Sequence, residues 1–283
     1  MGSPLVIRPL RSRQELAACV ELQKAIWGAD LDEIVAPILL QVAQRIGGVA
    51  VGAFDETDRL LGCVFGLTGI EDGRLVHWSH LLAVRPDVRG TGIGRRLKEH
   101  QRDVVRALGV ELMYWTFDPL IARNAHLNLT RLGAEVVEYV PDMYGRTGSE
   151  LDALGTDRLV VAWDLTTGAG SDERRRQARR AALRPTDAAE PPLGAPIANL
   201  DPDGEPVPPD HLLPADPVVR IEIPAEMQAV LRTSPEAAQR WQRSIRHAFL
   251  TYLGRGYRVA AFHRDLPAGR GHYLLAIERP PRD

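Results

Sequence analysis

The sequence predicts an α/β protein built on a mixed sheet, with a second, smaller folded unit behind it. Three observations carry this. Over the first ~165 of 283 residues, short apolar runs alternate with amphipathic stretches of helical period. Residues 166–217 then lose that alternation, holding no Phe, Trp or Tyr and ten of the chain's 21 prolines. From residue 218 both periodicities return. The expected division is therefore 1–165, a flexible Pro/Ala/Arg-rich linker over 166–217, and 218–283.

The elements follow in order. "PLVIRPL" (4–10) reads as a short strand. "SRQELAACVELQKAIWG" (12–28) places Leu16, Val20, Leu22, Ile26 and Trp27 on a helical face that Gly28 closes. Ser12 with Glu15 three residues on matches a capping box. A second helix over about 32–46 stops at Gly47-Gly48. "VAVGAFD" and "RLLGCVFGLTGI" form a hairpin around "DETD", and "LVHWSHLLAV" (75–84) is near-continuously apolar and so central. "RRLKEHQRDVVRALG" is a helix with Leu97, Val104, Val105 and Leu108 on one face, ended by Gly109. "VELMYWTF", a short helix "ARNAHLNLTRLG", and the strands "AEVVEYV" and "DRLVVAWDL" complete a β-α-α-β-β-β-α-β-α-β-β order.

The C-terminal segment reads as β-α-β-β. "VVRIEIP" (218–224) is a strand. Residues 234–254 form a helix with Ser234 as N-cap and Pro235 at its first position. Its apolar face is Ala238, Trp241, Ile245, Ala248, Phe249 and Tyr252. "YRVAAFHR" and "HYLLAIE" make a hairpin. About 65 residues are marginal alone. The unit is therefore expected to pack on the first domain or on a second subunit of a homodimer.

Composition narrows the function classes. A net charge of −2 gives no basic field for nucleic acid. Cys19 and Cys63 each sit in an apolar stretch without a CxxC spacing, which favours buried thiols over a disulfide or a zinc site; no metal is expected. The N-terminal residues lack a signal-peptide core. The most apolar run, 34–43, is half a membrane span and is broken by Pro37. A cytoplasmic protein without membrane association is expected.

The stretch "AVRPDVRGTGIGRRLKEHQ" (83–101) breaks a local rule. Arg95 and Arg96 open a helix whose N-terminus already carries the positive end of the macrodipole. Gly90, Gly92 and Gly94 lie just before and within that opening. Missing Cβ atoms let successive N–H groups face one point, and a bound anion would remove the conflict. Surface arginines on a tight turn are the plain structural reading. The spacing lacks the Lys-Ser/Thr pair of a P-loop, and G-x-G-x-G after the fourth strand is not the dinucleotide fingerprint.

R-G-T-G-I-G (89–94), preceded by "HLLAVRPDV", resembles the acyl-CoA signature R/Q-x-x-G-x-G/A of the GNAT superfamily of N-acyltransferases, matched at Arg89, Gly92 and Gly94. The element order is also that family's, and the resemblance covers about residues 4–165. It implies a GNAT-like fold with acyl-CoA, acetyl or succinyl, as co-substrate. The pyrophosphate would sit on the amides of Gly90, Gly92, Ile93, Gly94 and Arg95, beside Arg89. The pantetheine arm would pair with the fourth strand near Leu82 and Val84, where that strand splays from the fifth. Asn124 resembles the family's second CoA-contacting position; a helix N-terminal residue is its plain reading. "TFDPLIARNAHLNLTRLGA", "TDRLVVAWDL" and the C-terminal unit resemble a narrower group of predicted acyltransferases, some associated with N-succinylation of amino acids.

Acyl transfer to an amine needs a base, a polarised carbonyl and a leaving thiolate. A backbone N–H near Leu82 could polarise the carbonyl. His77 and His80 are the candidate bases, His80 first because it is nearer the expected thioester; a hydrogen-bonded core histidine is the structural alternative. The family's usual acid is a Tyr in the helix after the fifth strand, where this sequence has Leu129. Tyr144 is the candidate in its place. A carboxylate on the acceptor or donor calls for an arginine fork, with Arg158 first and Arg146 and Arg123 behind it; a surface Asp157-Arg158 pair is the bland reading. The loop 142–157 suits acceptor recognition. Three rivals stand beside the acyltransferase of a small amine or amino acid: a protein N-acetyltransferase, a degenerate domain that binds acyl-CoA as a regulatory ligand, and a subunit whose C-terminal piece mainly builds a dimer.

Overall fold

The computed structural model describes residues 5–28, 34–145, 153–166, 194–265 and 267–277. The order of elements is β1 (Val6–Pro9), α1 (Arg13–Trp27), α2 (Pro37–Arg45), β2 (Val49–Phe54), β3 (Leu60–Glu71), β4 (Arg74–Val84), α3 (Ile93–Ala107), β5 (Leu112–Phe117), α4 (Ala122–Ala125), β6 (Glu135–Val140) and β7 (Arg158–Asp164). After α4 the chain continues as a π-helical stretch, His126–Leu132, where a regular helix is expected. The strands form a seven-stranded mixed sheet in the order β1-β2-β3-β4-β5-β7-β6. This is the α/β architecture that the alternation predicts.

Local chemistry explains the boundaries. Ser12 Oγ accepts the Glu15 N–H at 3.1 Å, and Glu15 Oε2 accepts the Ser12 N–H at 3.2 Å, closing the capping box. β3 turns into β4 through Asp72-Gly73, both at positive φ (49° and 78°). That is the backbone a tight hairpin needs. The π-helical stretch ends at Gly133, φ 74°.

Contact density divides the chain into two compact units, and the division does not follow the expected boundary at 165. The first holds Met1–Thr116, Gly145–Gly155 and Ala162–Thr166; the second holds Phe117–Tyr144, Thr156–Val161 and Thr167–Asp283. Three contacts explain why 117–144 goes with the C-terminal residues. Tyr273 OH donates to Pro119 O at 2.7 Å, Thr130 Oγ1 donates to Phe262 O at 2.9 Å, and the Tyr139 ring stacks on Phe249 at 5.4 Å.

In the first unit, α1 and α2 bury Leu16, Cys19, Leu22 and Leu40 among side chains of the sheet. Cys19 and Cys63 are buried free thiols whose sulfurs lie 2.9 Å apart. The hydrogen bond from Cys19, together with burial, pushes the Cys63 thiol well up. The buried face of α3 is rotated from the expected one. Ile93, Leu97, Lys98, Gln101 and Val105 are buried, whereas Val104 and Leu108 are 37% and 48% exposed.

The second unit adds β8 (Val218–Pro224), α5 (Met227–Thr233), α6 (Pro235–Gly254), β9 (Tyr257–Asp265) and β10 (Arg270–Ile277), with an antiparallel sheet ordered β8-β10-β9. Helix α5 is an addition to the expected β-α-β-β. Ser234 caps α6 by accepting the Ala237 N–H at 3.2 Å. All six predicted apolar positions of α6 are buried.

Of the expected linker, 167–193 lie outside the described residues. In the segment from 194 onward Ala198, Asn199, Val207 and Leu213 are buried. It lacks aromatic residues of its own, but the core lends polar side chains to its backbone. Tyr252 OH donates to Pro214 O at 2.9 Å, Tyr257 OH to Asp216 O at 2.8 Å, and Ser244 Oγ to Asn199 O at 2.8 Å. The Asn199 side chain also pairs both ways with the Glu222 backbone, at 2.7 and 2.8 Å. Composition scores a segment's own apolar content and is blind to such outside partners.

Candidate active site

Strand β4 leads through a short 3₁₀ turn, Pro86–Val88, into the glycines. Gly90 and Gly92 have φ of 82° and 88°, and Gly92 is the left-handed N-cap of α3, without a side-chain cap. The helix's first internal bond runs from Arg96 N–H to Gly92 O at 3.1 Å. The N–H groups of Ile93, Gly94 and Arg95 therefore face out of the open end, where an anion is favoured. A Cβ on Gly90 or Gly92 would meet nothing within 4 Å, so conformation demands these glycines and crowding does not. A Cβ on Gly94 would touch Val84 and Leu82 at 3.6 and 3.7 Å, which sets the β4 side of this turn against α3.

The arginines have protein partners. Arg89 Nε donates to Val84 O at 3.3 Å, Arg95 Nε pairs with Glu99 at 2.8 Å, and Arg96 Nη2 reaches Leu5 O at 3.5 Å. These contacts are exposed and worth little. They ease the local conflict with the dipole and leave the cations beside the open amides. Asp87 steadies the approach by accepting from Arg59 at 2.6 Å and from Arg85 at 3.2 Å.

β4 and β5 pair in parallel only from Val76–Trp78 to Leu112–Tyr114, so Ser79–Val84 run beyond that ladder. There β4 carries a bulge. Phe65 faces Leu81 and Leu67 faces Trp78, leaving Gly66 opposite both Ser79 and His80. Bulges re-aim side chains. Here His80 is exposed, edge-on to Phe65 at 6.1 Å, while His77 is fully buried.

A buried polar chain holds His77. Lys98 Nζ donates to Ser79 Oγ (2.8 Å), Ser79 to Gln101 Oε1 (2.8 Å), and Thr68 Oγ1 to Gly47 O (2.6 Å). Gln101 Nε2 and Thr68 Oγ1 each lie 3.0 Å from a His77 ring nitrogen. These directions assign the His77 proton to Nδ1, with Nε2 accepting from Gln101. The ammonium of Lys98 also sits 3.7 Å over the Trp115 ring, at the first β5 residue past the ladder. Burial lowers the Lys98 amine well below its ordinary value. Burial, then the charge of Lys98, lowers His77 to about 4. His77 is thus the core histidine of the two. Sequence reasoning missed Lys98 and Gln101; the available signal was two polar residues three apart within an otherwise apolar helical stripe.

Two predictions follow from this chain. Between pH 6.5 and about 4 the unfolded state binds a proton at His77 that the folded state does not. Stability is therefore lost as pH falls through that window, by about 3 kcal/mol at most. His272, also lowered to about 4 by burial, adds a parallel loss. Urea unfolding across this range should show the decline, and His77→Gln should leave only the part due to His272. A Cβ on Gly66 would lie 2.3 Å from His77 Nε2 and 2.6 Å from Trp78 O. Gly66→Ala should cost about 1–3 kcal/mol, read as a lower Tm.

In the second unit, Arg158 Nη1 donates to Asp157 O at 3.0 Å, and its guanidinium lies 5.4 Å from the centre of the Tyr144 ring. Asp157 is not the surface partner that adjacency suggests. Its carboxylate is buried and accepts from Tyr139 OH (2.5 Å), Gln242 Nε2 (2.9 Å), Arg246 Nε (2.8 Å), Arg246 Nη2 and the Asp142 N–H (3.0 Å). Burial pushes this carboxyl up, but the bonds from Arg246, Tyr139 and Asp142 outweigh it and hold it below the usual range. Asn124 is half-buried in α4, its N–H donating to Ile121 O at 2.9 Å; Arg123 beside it is exposed. Leu129 lies in the π-helical stretch. Arg146 falls outside the described residues.

His80, Leu82, Val84, Arg89, Gly90, Gly92, Ile93, Gly94 and Arg95 thus belong to the first compact unit, and Asn124, Tyr144 and Arg158 to the second. Among the described residues no three His, Cys, Asp or Glu side chains gather as a metal site, and no helix is long and apolar enough to cross a membrane.

Residues 17–133 match the acetyltransferase (GNAT) family. No curated protein matches the chain. Solved structures similar to it include a NatC complex bound to Gag peptide and CoA (20% identity, TM-score 0.46), covering 57% of this chain and 99% of that one. An aminoglycoside 6'-N-acetyltransferase complexed with coenzyme A is 15% identical, with TM-score 0.44 and coverage of 58% and 98%. A ribosomal-protein alanine N-acetyltransferase from Escherichia coli is 16% identical, with TM-score 0.44 and coverage of 59% and 97%.

Proposed function

We propose that the chain is an acyl-CoA-dependent N-acyltransferase. It moves an acetyl or succinyl group to the amine of a small, carboxylate-bearing acceptor such as an amino acid, by direct attack in a ternary complex. The observation that carries the reading is the uncapped N-terminus of α3 behind Gly90 and Gly92, within the stretch that matches the GNAT family. The amides of 90–95 bind the pyrophosphate, with Arg89 and Arg95 beside it. Leu82 and Val84, beyond the β4–β5 ladder, offer backbone to the pantetheine arm, and Asn124 supplies a further contact. Exposed His80, at the bulge, takes the proton of the attacking amine. As the N–C bond forms the C–S bond breaks, and the departing sulfur takes a proton from Tyr144 or from water. Arg158 holds the acceptor's carboxylate.

The test is free-thiol release from acetyl-CoA and succinyl-CoA against a panel of L- and D-amino acids and simple amines. Turnover with one pair fixes donor and acceptor together. A CoA-dependent rise in Tm without turnover on any of them would replace the enzyme by a binding module. Neither turnover nor a rise would overturn the reading of the glycine turn.

A further inference from the structure

We propose that Arg246, on helix α6 of the C-terminal unit, is a positioning residue for acceptor recognition: it fixes Asp157 and, through it, the corner that carries Tyr144 and Arg158. The proposal rests on the reading of Arg158 as the group that holds the acceptor's carboxylate.

The excursion between β6 and β7 leaves at Asp142 and returns at Thr156, and its two ends are fastened together. Met143 N–H donates to Thr156 O at 3.1 Å, and Tyr144 N–H donates to Thr156 Oγ1 at 3.1 Å. The Asp142 N–H donates to Asp157 Oδ1 at 3.0 Å. Arg246 spans both ends at once. Its Nε and Nη2 hold Asp157, and Nη2 also meets Asp142 Oδ1 at 2.9 Å. Arg158 takes its seat from the same peptide, donating to Asp157 O at 3.0 Å. The carbonyl that orients Arg158 and the carboxylate that Arg246 grips therefore belong to one residue. A guanidinium can serve this geometry because its fork reaches two carboxylates; an ammonium is a point charge. The C-terminal helix thereby supplies a contact that the GNAT-matched residues 17–133 do not contain.

Arg246→Lys keeps the charge opposite buried Asp157 and removes the fork, so it tests position apart from folding. The assay is thiol release with the most active amino acid of the panel and with its decarboxylated amine. The variant is expected to raise the KM for the amino acid about tenfold, hold the KM for acyl-CoA within about twofold, and erode the preference for the amino acid over the amine. Arg158→Ala should remove that preference. In amino-acid KM and in preference the double variant should be no worse than Arg158→Ala alone, since toward the acceptor's carboxylate Arg246 acts through Arg158. A lower Tm with unchanged amino-acid KM and preference would make Arg246 a stabilising strut and overturn the proposal alone. An Arg158→Ala enzyme with unchanged amino-acid KM would overturn the acceptor reading and this inference with it, as would a panel without turnover.

Discussion

Arg246→Met is expected to lower stability by about 3–5 kcal/mol at neutral pH, because it strands the Asp157 carboxylate among Tyr139, Gln242 and a backbone N–H without its cation. The carboxyl is 5% exposed and the guanidinium 30%, so water can replace part of the arginine and none of the aspartate's burial. The sign with pH is fixed by the lowered pKa of Asp157. The pair's contribution is present above the unfolded value near 3.9 and is lost as pH falls through the folded value. Urea unfolding of wild type and variant should therefore diverge most near neutrality and converge in acid, where a protonated Asp157 no longer needs a cation. Equal midpoints at pH 7 would show that the pair is not a fastening of the second unit.

Gly92→Val is expected to weaken CoA binding about 100-fold, measured by titration calorimetry. At φ 88° a β-branched residue is strained by about 1–2 kcal/mol and escapes by moving the turn. Movement turns aside the N–H groups of Ile93, Gly94 and Arg95. Losing two charge-assisted hydrogen bonds, at about 1.5 kcal/mol each, gives the stated factor. The added side chain meets no protein atom within 4 Å at its Cβ, so the fold itself tolerates the group sterically. Unchanged affinity would remove the glycine turn from the donor site.

The turn was legible because its signals are local. Gly92 and Gly94 after a strand, and arginines opposing a dipole, are read within a dozen residues. The same holds for Ser12 with Glu15, for Ser234-Pro235, and for the six buried positions of α6. Leu129, standing where the family has a Tyr, was equally plain. Which of His77 and His80 meets water was not, since alternation puts residues three apart on opposite faces without saying which face is covered.

By itself, then, the sequence determined the element order of the first 165 residues, the caps, the α/β class and the glycine turn with its GNAT resemblance. Each depends on a residue's neighbours within one or two turns of chain. Only the tertiary structure decided that His77 is a neutral core group held by Gln101 and Thr68, and that Lys98 is buried over Trp115. It alone placed Asp157 on Arg246, 89 residues away, in preference to the adjacent Arg158, and gathered 194–217 onto side chains of α6 and β9. The physical reason is common to all of these. A buried polar group takes whatever partner the fold brings within about 3 Å, and separation along the chain says nothing about that distance.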